Sequence, residues 1–164
     1  MHPPEQVGSA GVAKQSLPPY AIGPLLVRAQ RHAAEAFDAG LAPLGIQGKH
    51  FGILMTLRRL GPISQQELIA SLGIDKSAMV RQIDDLENNG LVERRRAADR
   101  RAFAVTMTAD GEQCYRSAER IAREVADELL GGLTTTERDQ LPRLLAKFTG
   151  VGLGDTAPLP GRGR

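Results

Sequence analysis

Apolar residues recur every three to four positions in the first part of the chain, and this period predicts two amphipathic helices. The first helix is expected to end near Gly40, and the second is expected to end at Gly61 and Pro62. The apolar positions are Ile22, Leu25, Leu26, Ala29, Ala33 and Phe37 in the first helix, and Phe51, Leu54, Met55 and Leu57 in the second.

Two shorter helices follow, and capping residues mark their ends. Ser64 and Glu67 have the spacing of a capping box, which satisfies backbone N–H groups at a helix start. Gly73 supplies the left-handed residue that commonly ends a helix. Asp75 is a good N-cap for a further helix, which is expected to run to about Asn89. Two short helices joined by a tight turn indicate a helix-turn-helix.

The second of these helices has two chemically different faces. Its core stripe is predicted to be Met79, Ile83 and Leu86. The opposite face carries basic or small side chains near the N-terminus. Toward the far end of the helix its side chains are acidic and are expected to be solvated. Because a helix N-terminus carries partial positive charge, its first turns suit insertion into a DNA groove. The basic and small residues are Lys76, Ser77, Ala78, Val80, Arg81 and Gln82, and the acidic ones are Asp84, Asp85 and Glu87.

After the helix-turn-helix the hydrophobic period falls to two, which predicts a β-hairpin. Phe103, Val105 and Met107 alternate with smaller residues, as expected for a strand with one covered face. Five arginines and two acidic residues lie between Leu91 and Thr106, so the local charge is +3 while the whole chain carries +2. Such concentrated positive charge predicts a phosphate-bearing partner.

Two more helices are predicted after the hairpin. Thr108 caps a long helix, and Thr134 with Glu137 forms a capping box that opens the last helix. Pro142 lies inside that last helix and predicts a kink or a late helix start. The apolar stripes are Cys114, Ala118, Ile121, Val125 and Leu129 in the long helix, and Leu141, Leu144 and Leu145 in the last.

Size and composition narrow the class of protein. A chain of 164 residues that is 41% hydrophobic is long enough for one domain with its own core. The sequence has no export signal and no run of the roughly 20 apolar residues that a membrane span needs, so the cytoplasm is the expected compartment. It also shows no nucleophile elbow, phosphate loop or paired metal ligands. We therefore expect a binding protein without cofactor or metal, and not an enzyme.

The segment GLVERRRAADRRAFAVTMTADG, together with the helical pattern FGILMTLRRLGPISQQELIASLGI before it, resembles the MarR-type winged helix-turn-helix transcriptional regulators. The Asp-Arg-Arg tip of the hairpin is the most specific part of this resemblance, which extends from about Leu25 to Phe148. It implies a mainly α fold in which the hairpin forms a wing and the first and last helices dimerise. It also implies a homodimeric DNA-binding protein, usually a repressor, whose affinity is lowered by a small ligand or by oxidation.

The resemblance also implies roles for single residues. Arg101 corresponds to the wing arginine of the minor groove, Asp99 to the residue that orients it, and Arg94 to a phosphate contact at the wing base. Residues 77–82 correspond to the readers of the major groove. The predicted DNA contacts are Lys76, Ser77, Ala78, Val80, Arg81, Gln82, Arg94, Arg95, Arg96, Arg100 and Arg101. The alternative for the wing is a solvated charged hairpin.

The chain is expected to divide into a disordered tail at residues 1–20, a winged-helix domain at 21–149 and a second disordered tail at 150–164. Within the domain, the DNA-binding lobe is predicted at about 62–107 and the dimerisation helices at about 21–40 and 108–149. The amphipathic outer helices need a covering surface, which self-association would supply. A two-fold dimer would place two recognition helices about 34 Å apart, which predicts an inverted-repeat operator.

Regulation has two candidate signals. The resemblance places ligand contacts at Arg28, His32, Phe51 and Met55, although helix packing or surface exposure explains these residues equally well. The ligand is expected to be a small aromatic or anionic molecule. The alternative is thiol-based redox regulation through Cys114, the single cysteine. Because Cys114 lies on an apolar stripe, a packing role is favoured.

Two other functions fit a winged helix. One is a protein-interaction module that has lost specific DNA reading, and the other is an architectural protein that binds all duplexes with similar affinity. The crowded arginines of the hairpin favour DNA over protein as the partner.

Overall fold

The computed structural model describes residues 18–96 and 103–150 of the chain. These residues form a mainly helical fold with a small antiparallel sheet, which confirms the predicted fold class of a winged helix-turn-helix. No helix in these two ranges is long and apolar enough to cross a membrane. The helices are α1 (Ile22–Leu41), α2 (Gly48–Leu60), α3 (Gln65–Leu72), α4 (Lys76–Asn88), α5 (Ala109–Leu129) and α6 (Thr135–Thr149), and the strands are β1 (Ile63–Ser64), β2 (Val92–Arg96) and β3 (Phe103–Met107).

The chain divides between His32 and Ala33 into two compact units. One turn of 3-10 helix, Pro19–Ala21, precedes α1, so regular structure begins just inside the predicted N-terminal tail. The rest of that tail up to residue 17, and the predicted C-terminal tail from residue 151, lie outside the described residues.

The predicted capping boxes are confirmed. The Ser64 backbone N–H donates to the Glu67 carboxylate at 2.7 Å, and the Glu67 N–H donates back to Ser64 Oγ at 3.2 Å. Thr134 and Glu137 make the same pair of bonds at the start of α6, at 2.8 and 3.3 Å. Each bond satisfies a backbone donor that the first turn of a helix would otherwise leave unpaired. These caps fix the starts of α3 and α6.

The core lies in the second compact unit, between α2, α3, α4, the sheet and α5. The predicted stripe of α4 is fully buried, since Met79, Ile83 and Leu86 have no exposed surface. Aromatic rings fill the contact between α2 and α5, where Phe51 stacks on Tyr115 with ring centroids 5.7 Å apart. Tyr115 directly follows Cys114 of the predicted α5 stripe and is itself part of the core.

Helix α1 ends at Leu41, near Gly40 as predicted, and a Cβ at Gly40 would lie 2.9 Å from Ile121 Cγ2, so close helix packing explains the glycine. Two features differ from the predicted pattern. The late start predicted from Pro142 is wrong, because α6 begins at Thr135 and includes the proline. The sheet gains the two-residue strand β1, in which Ile63 pairs with Val105 of β3.

Gly111 is a residue of α5 that packs closely against the base of the hairpin. A Cβ atom there would lie 2.0 Å from the Leu91 carbonyl oxygen and 2.7 Å from Met107 Cγ. The first atom belongs to the backbone and cannot move aside by a rotamer change. The hairpin and α5 therefore keep their contact only while this position has no side chain.

We predict that Gly111→Ala lowers the free energy of unfolding by about 2 kcal/mol or more, because the added methyl group forces the hairpin away from α5. Urea denaturation followed by circular dichroism measures the change. Gly132→Ala is the matched control, since a Cβ there meets nothing within 4 Å. Equal stability of the two variants would contradict this packing.

Candidate DNA-binding surface

The N-terminal end of α4 is ordered by Asp75. Its Oδ1 atom accepts hydrogen bonds from the Ser77 hydroxyl at 2.7 Å and from the Ala78 backbone N–H at 2.9 Å. The pKa of Asp75 is held below its usual value, chiefly by the hydrogen bond from Ser77 and to a lesser extent by the one from Ala78. The carboxylate is thus committed to the helix start, and the side chains of Lys76, Ser77 and Arg81 are exposed beside it.

The exposed face of α4 is narrower than the sequence predicted. Ala78 and Gln82, which were placed on the face opposite the core, are each only 7% exposed. The placement of these two residues is wrong because the faces of α4 pack against α2, α3 and β2. Val80 is half-buried. The residues of α4 that are open to a groove are Lys76, Ser77 and Arg81, and their contact with DNA stays a prediction.

Arg94, predicted as a phosphate contact, is bound to the acidic end of α4 (Asp84, Asp85 and Glu87). Its guanidinium donates to the Asp84 carboxylate at 2.5 Å and also to Glu87, and its backbone N–H donates to Glu87 Oε1 at 3.2 Å. Burial of the guanidinium opposes its charge, but these carboxylates outweigh burial and raise the pKa of Arg94. We call this arrangement the Arg94 bridge.

The acidic end of α4 is open to solvent, as expected, since the side chains of Asp84 and Asp85 are 49% and 52% exposed, but it also has partners within the protein. Asp84 and Glu87 pair with Arg94, and Asp85 Oδ2 lies 3.5 Å from Nε2 of His50 in α2. These pairings were not predicted from the sequence because the partners lie on different elements. One sequence signal could have indicated the pairing with Arg94: Asp84 and Glu87 lie one turn apart on one helix face, and an arginine-rich strand follows them.

Strand β2 carries the exposed arginines of the described wing. Arg95 is exposed and its guanidinium pairs with Glu93 at 2.7 Å. Arg96 is exposed and its Cζ lies 5.9 Å from the ring centroid of Phe103, its cross-strand partner. Phe103 is 57% exposed, so it does not share the covered face predicted for β3. The aromatic ring instead lies under a cation, which restricts the orientation of Arg96.

The tip of the wing lies outside the described residues, which resume at Phe103. Asp99, Arg100 and Arg101 belong to this segment. Their predicted roles, a structuring role for Asp99 and DNA contact for the two arginines, therefore stay predictions.

The predicted ligand residues have different environments. Phe51 is buried and its ring packs between Phe37, at a centroid distance of 5.9 Å, and Tyr115, which gives it a packing role. Met55 is half-buried and packs against the same core. Arg28 and His32 are exposed on α1. Ligand contact by any of the four stays a prediction.

Cys114 is half-buried and packs against the core, as its place on the apolar stripe predicted. Burial raises the pKa of its thiol. Since the thiolate is the reactive form, this environment disfavours rapid oxidation.

Comparison with known proteins agrees with this geometry. The sequence model of the MarR family matches residues 44–102, from within the α1–α2 connection to the residue before β3. This range includes α3, α4 and β2, the elements that carry the exposed basic residues. The resemblance to MarR-family transcriptional regulators is thereby confirmed.

Solved structures extend the similarity beyond the winged helix. Wild-type apo MarR from E. coli is 28% identical, with a TM-score of 0.69 over 80% of this chain and 97% of that one. A cysteine-to-serine mutant of E. coli MarR complexed with operator DNA is 27% identical, with a TM-score of 0.72 over 78% and 93%. BpsR from Bordetella bronchiseptica, described for the regulation of its DNA binding by 6-hydroxynicotinic acid, is 25% identical, with a TM-score of 0.72 over 80% and 94%. The chain therefore has the fold of MarR-family regulators.

We predict that Arg94→Ala lowers the free energy of unfolding by about 1 kcal/mol, because it leaves the two neighbouring carboxylates of α4 without their cation. Arg95→Ala is the matched control and is expected to cost less than about 0.5 kcal/mol, since Arg95 is exposed and pairs with one acid. Urea denaturation at low ionic strength measures both. The Arg94 bridge has no stabilising role if the two variants unfold alike.

Proposed function

We propose that this chain is a homodimeric, sequence-specific DNA-binding transcriptional regulator, which acts as a repressor and is released by a small aromatic or anionic ligand. The observation that carries the proposal is the separation of charge on α4. Its basic N-terminal side chains are exposed, whereas two of the three carboxylates at its acidic end pair with Arg94 of the protein itself. The helix therefore offers an incoming phosphate backbone its positive end.

The wing adds to this surface. Arg95 and Arg96 are exposed on β2, and the sequence continues into Arg100 and Arg101. Phosphate contacts by such side chains give affinity, while base contacts from a recognition helix give specificity. A module that binds only protein has no need for this row of arginines, which is why the proposal favours DNA.

Homodimerisation is supported by apolar side chains that the described chain leaves exposed. Leu144 and Phe148 on α6 are 61% and 66% exposed. In the first compact unit, Tyr20, Leu25 and Val27 are also exposed. Large exposed apolar surface commonly marks an interface, and a two-fold partner would cover the same residues on both copies.

Release by a ligand is the most specific part of the proposal. It is supported by the similarity to BpsR, whose DNA binding is described as regulated by 6-hydroxynicotinic acid. A ligand would act here by binding more tightly to a form of the dimer whose recognition helices are badly spaced for DNA. Unchanged operator affinity in saturating nicotinic- and benzoic-acid derivatives would contradict this part.

We predict that Arg81→Ala and Arg101→Ala each weaken binding to duplex DNA and reduce the slope of log K against log salt concentration by about 1, because each removes a phosphate contact. Fluorescence anisotropy over a salt series measures the slopes. Arg123→Ala is the matched control, an exposed arginine of α5 outside the winged helix. The proposed surface is wrong if all three variants keep the wild-type slope.

We predict that the wild-type protein sediments as a dimer at micromolar concentration and that the double variant Leu144→Glu, Phe148→Glu sediments as a monomer, because buried carboxylates would oppose association. Lys147→Gln, on the same helix, is the control and should remain dimeric. A monomeric wild type would contradict the dimer.

A further inference from the structure

His50 is a buried histidine whose interactions the proposed function does not yet use. It is 6% exposed and occupies the third position of α2. Its Nδ1 atom accepts a hydrogen bond from the backbone N–H of Gln47, the N-cap residue, at 3.2 Å. Because Nδ1 is an acceptor, the single ring proton of the neutral histidine lies on Nε2.

The Nε2 atom faces the recognition helix. Its nearest acidic partner is Asp85 Oδ2 of α4, at 3.5 Å. This separation is longer than the roughly 2.8 Å of a charge-assisted hydrogen bond, so Nε2 is buried without a full hydrogen bond. Gln82 lies one turn before Asp85 on the same face, and its buried Oε1 atom has no hydrogen-bond partner in the described part of the chain.

The contact between α2 and α4 thus includes an incomplete hydrogen bond, between His50 and Asp85, which would form fully if the two helices lay closer together. Most helix contacts in this core are apolar and keep one packing arrangement. Here a short movement of α4 toward α2 would change an incomplete contact into an ion-assisted hydrogen bond. We therefore expect the position of α4 to depend on whether the His50 ring is protonated.

Burial and the charged groups around His50 determine whether its ring is protonated. Burial lowers the pKa of His50 below 6.5, and Lys49, next to it on α2, lowers it further, while Asp85 of α4 and Asp38 of α1 oppose these effects. The ring is consequently neutral at pH 7. A proton added in acid must go to Nδ1, which then can no longer accept the Gln47 N–H.

The sign of the stability change follows from this pKa. Since the unfolded chain binds a proton at His50 more readily than the folded chain does, the folded state loses stability as the pH falls below about 6.5. The loss ends once the pH is below the lowered folded pKa. This loss of stability arises at the start of α2, the helix against which α4 packs.

We propose that His50 is a positioning residue for DNA binding: through Asp85 it sets where the recognition helix lies on α2, and its protonation weakens operator affinity. This inference rests on the proposed DNA-binding function. With neutral His50, the start of α2 is capped and α4 is held in place. With protonated His50, the cap is lost and the charge on the ring draws Asp85, so α4 must be repositioned when DNA binds.

The test compares operator affinity in the full-length protein at about pH 8 and at a pH below the midpoint at which the His50 ring titrates, so that the ring is neutral in one condition and protonated in the other. Wild type should lose about fivefold or more in affinity on acidification. His50→Gln should lose much less, because glutamine at this position of a capping box accepts the same backbone N–H and does not titrate. His2→Gln, at a histidine outside the described residues that has no predicted binding role, is the matched control and should behave as wild type.

A nuclear magnetic resonance titration of the DNA-free wild type gives a readout that needs neither a variant nor DNA. The His50 ring should titrate below pH 6.5, and the backbone signals of Gln47 and Asp85 should shift with the same midpoint. A titration that leaves Asp85 unmoved would overturn the inference even if His50→Gln does not fold.

The outcomes separate the inference from the function on which it rests. If wild type binds no DNA sequence preferentially at either pH, the proposed function fails and this inference fails with it. If wild type binds its operator but His50→Gln has the same pH dependence, the inference alone is wrong. Parallel loss in wild type and His2→Gln, with a flat profile in His50→Gln, supports it.

Discussion

The Arg94 bridge is the interaction on which the DNA-binding surface depends. Through one guanidinium, β2 is joined to Asp84 and Glu87 near the end of α4. The bridge ties the wing to α4, and its single positive charge offsets part of the negative charge of two carboxylates on a helix proposed to approach phosphate. Since unlike charges held at hydrogen-bond distance restrict both partners, the two elements proposed to face DNA behave as one unit.

Features set by local chemistry were predictable from the sequence. The starts of α3 and α6 follow from Ser64 with Glu67 and Thr134 with Glu137, because both partners lie within one turn of each other. Strand β1 was missed because two residues carry no periodic signal and it exists through pairing with β3. Tertiary contacts also decided the burial of Gln82 and the partners of Arg94, which periodicity on a single helix does not reveal.

The structure redistributes the roles predicted for the recognition helix. With Ala78 and Gln82 buried, the proposed base reading would rest on few exposed side chains, chiefly Ser77 and Arg81. Such a short set favours a contribution from groove shape, which arginines of a wing can read where the minor groove is narrow. DNA contact by this surface stays a prediction, while packing against α2, α3 and β2 decides how much of α4 is open.

The central claim is that α4 and the wing form a sequence-specific DNA-binding unit that acts in a two-fold pair. Selection of bound sites from random duplex DNA tests it most directly. The account predicts enrichment of an inverted repeat whose half-site centres are about 34 Å, one helical turn, apart or a multiple of it. Retention of all sequences with equal affinity would contradict the claim and would point to a nonspecific phosphate-binding protein.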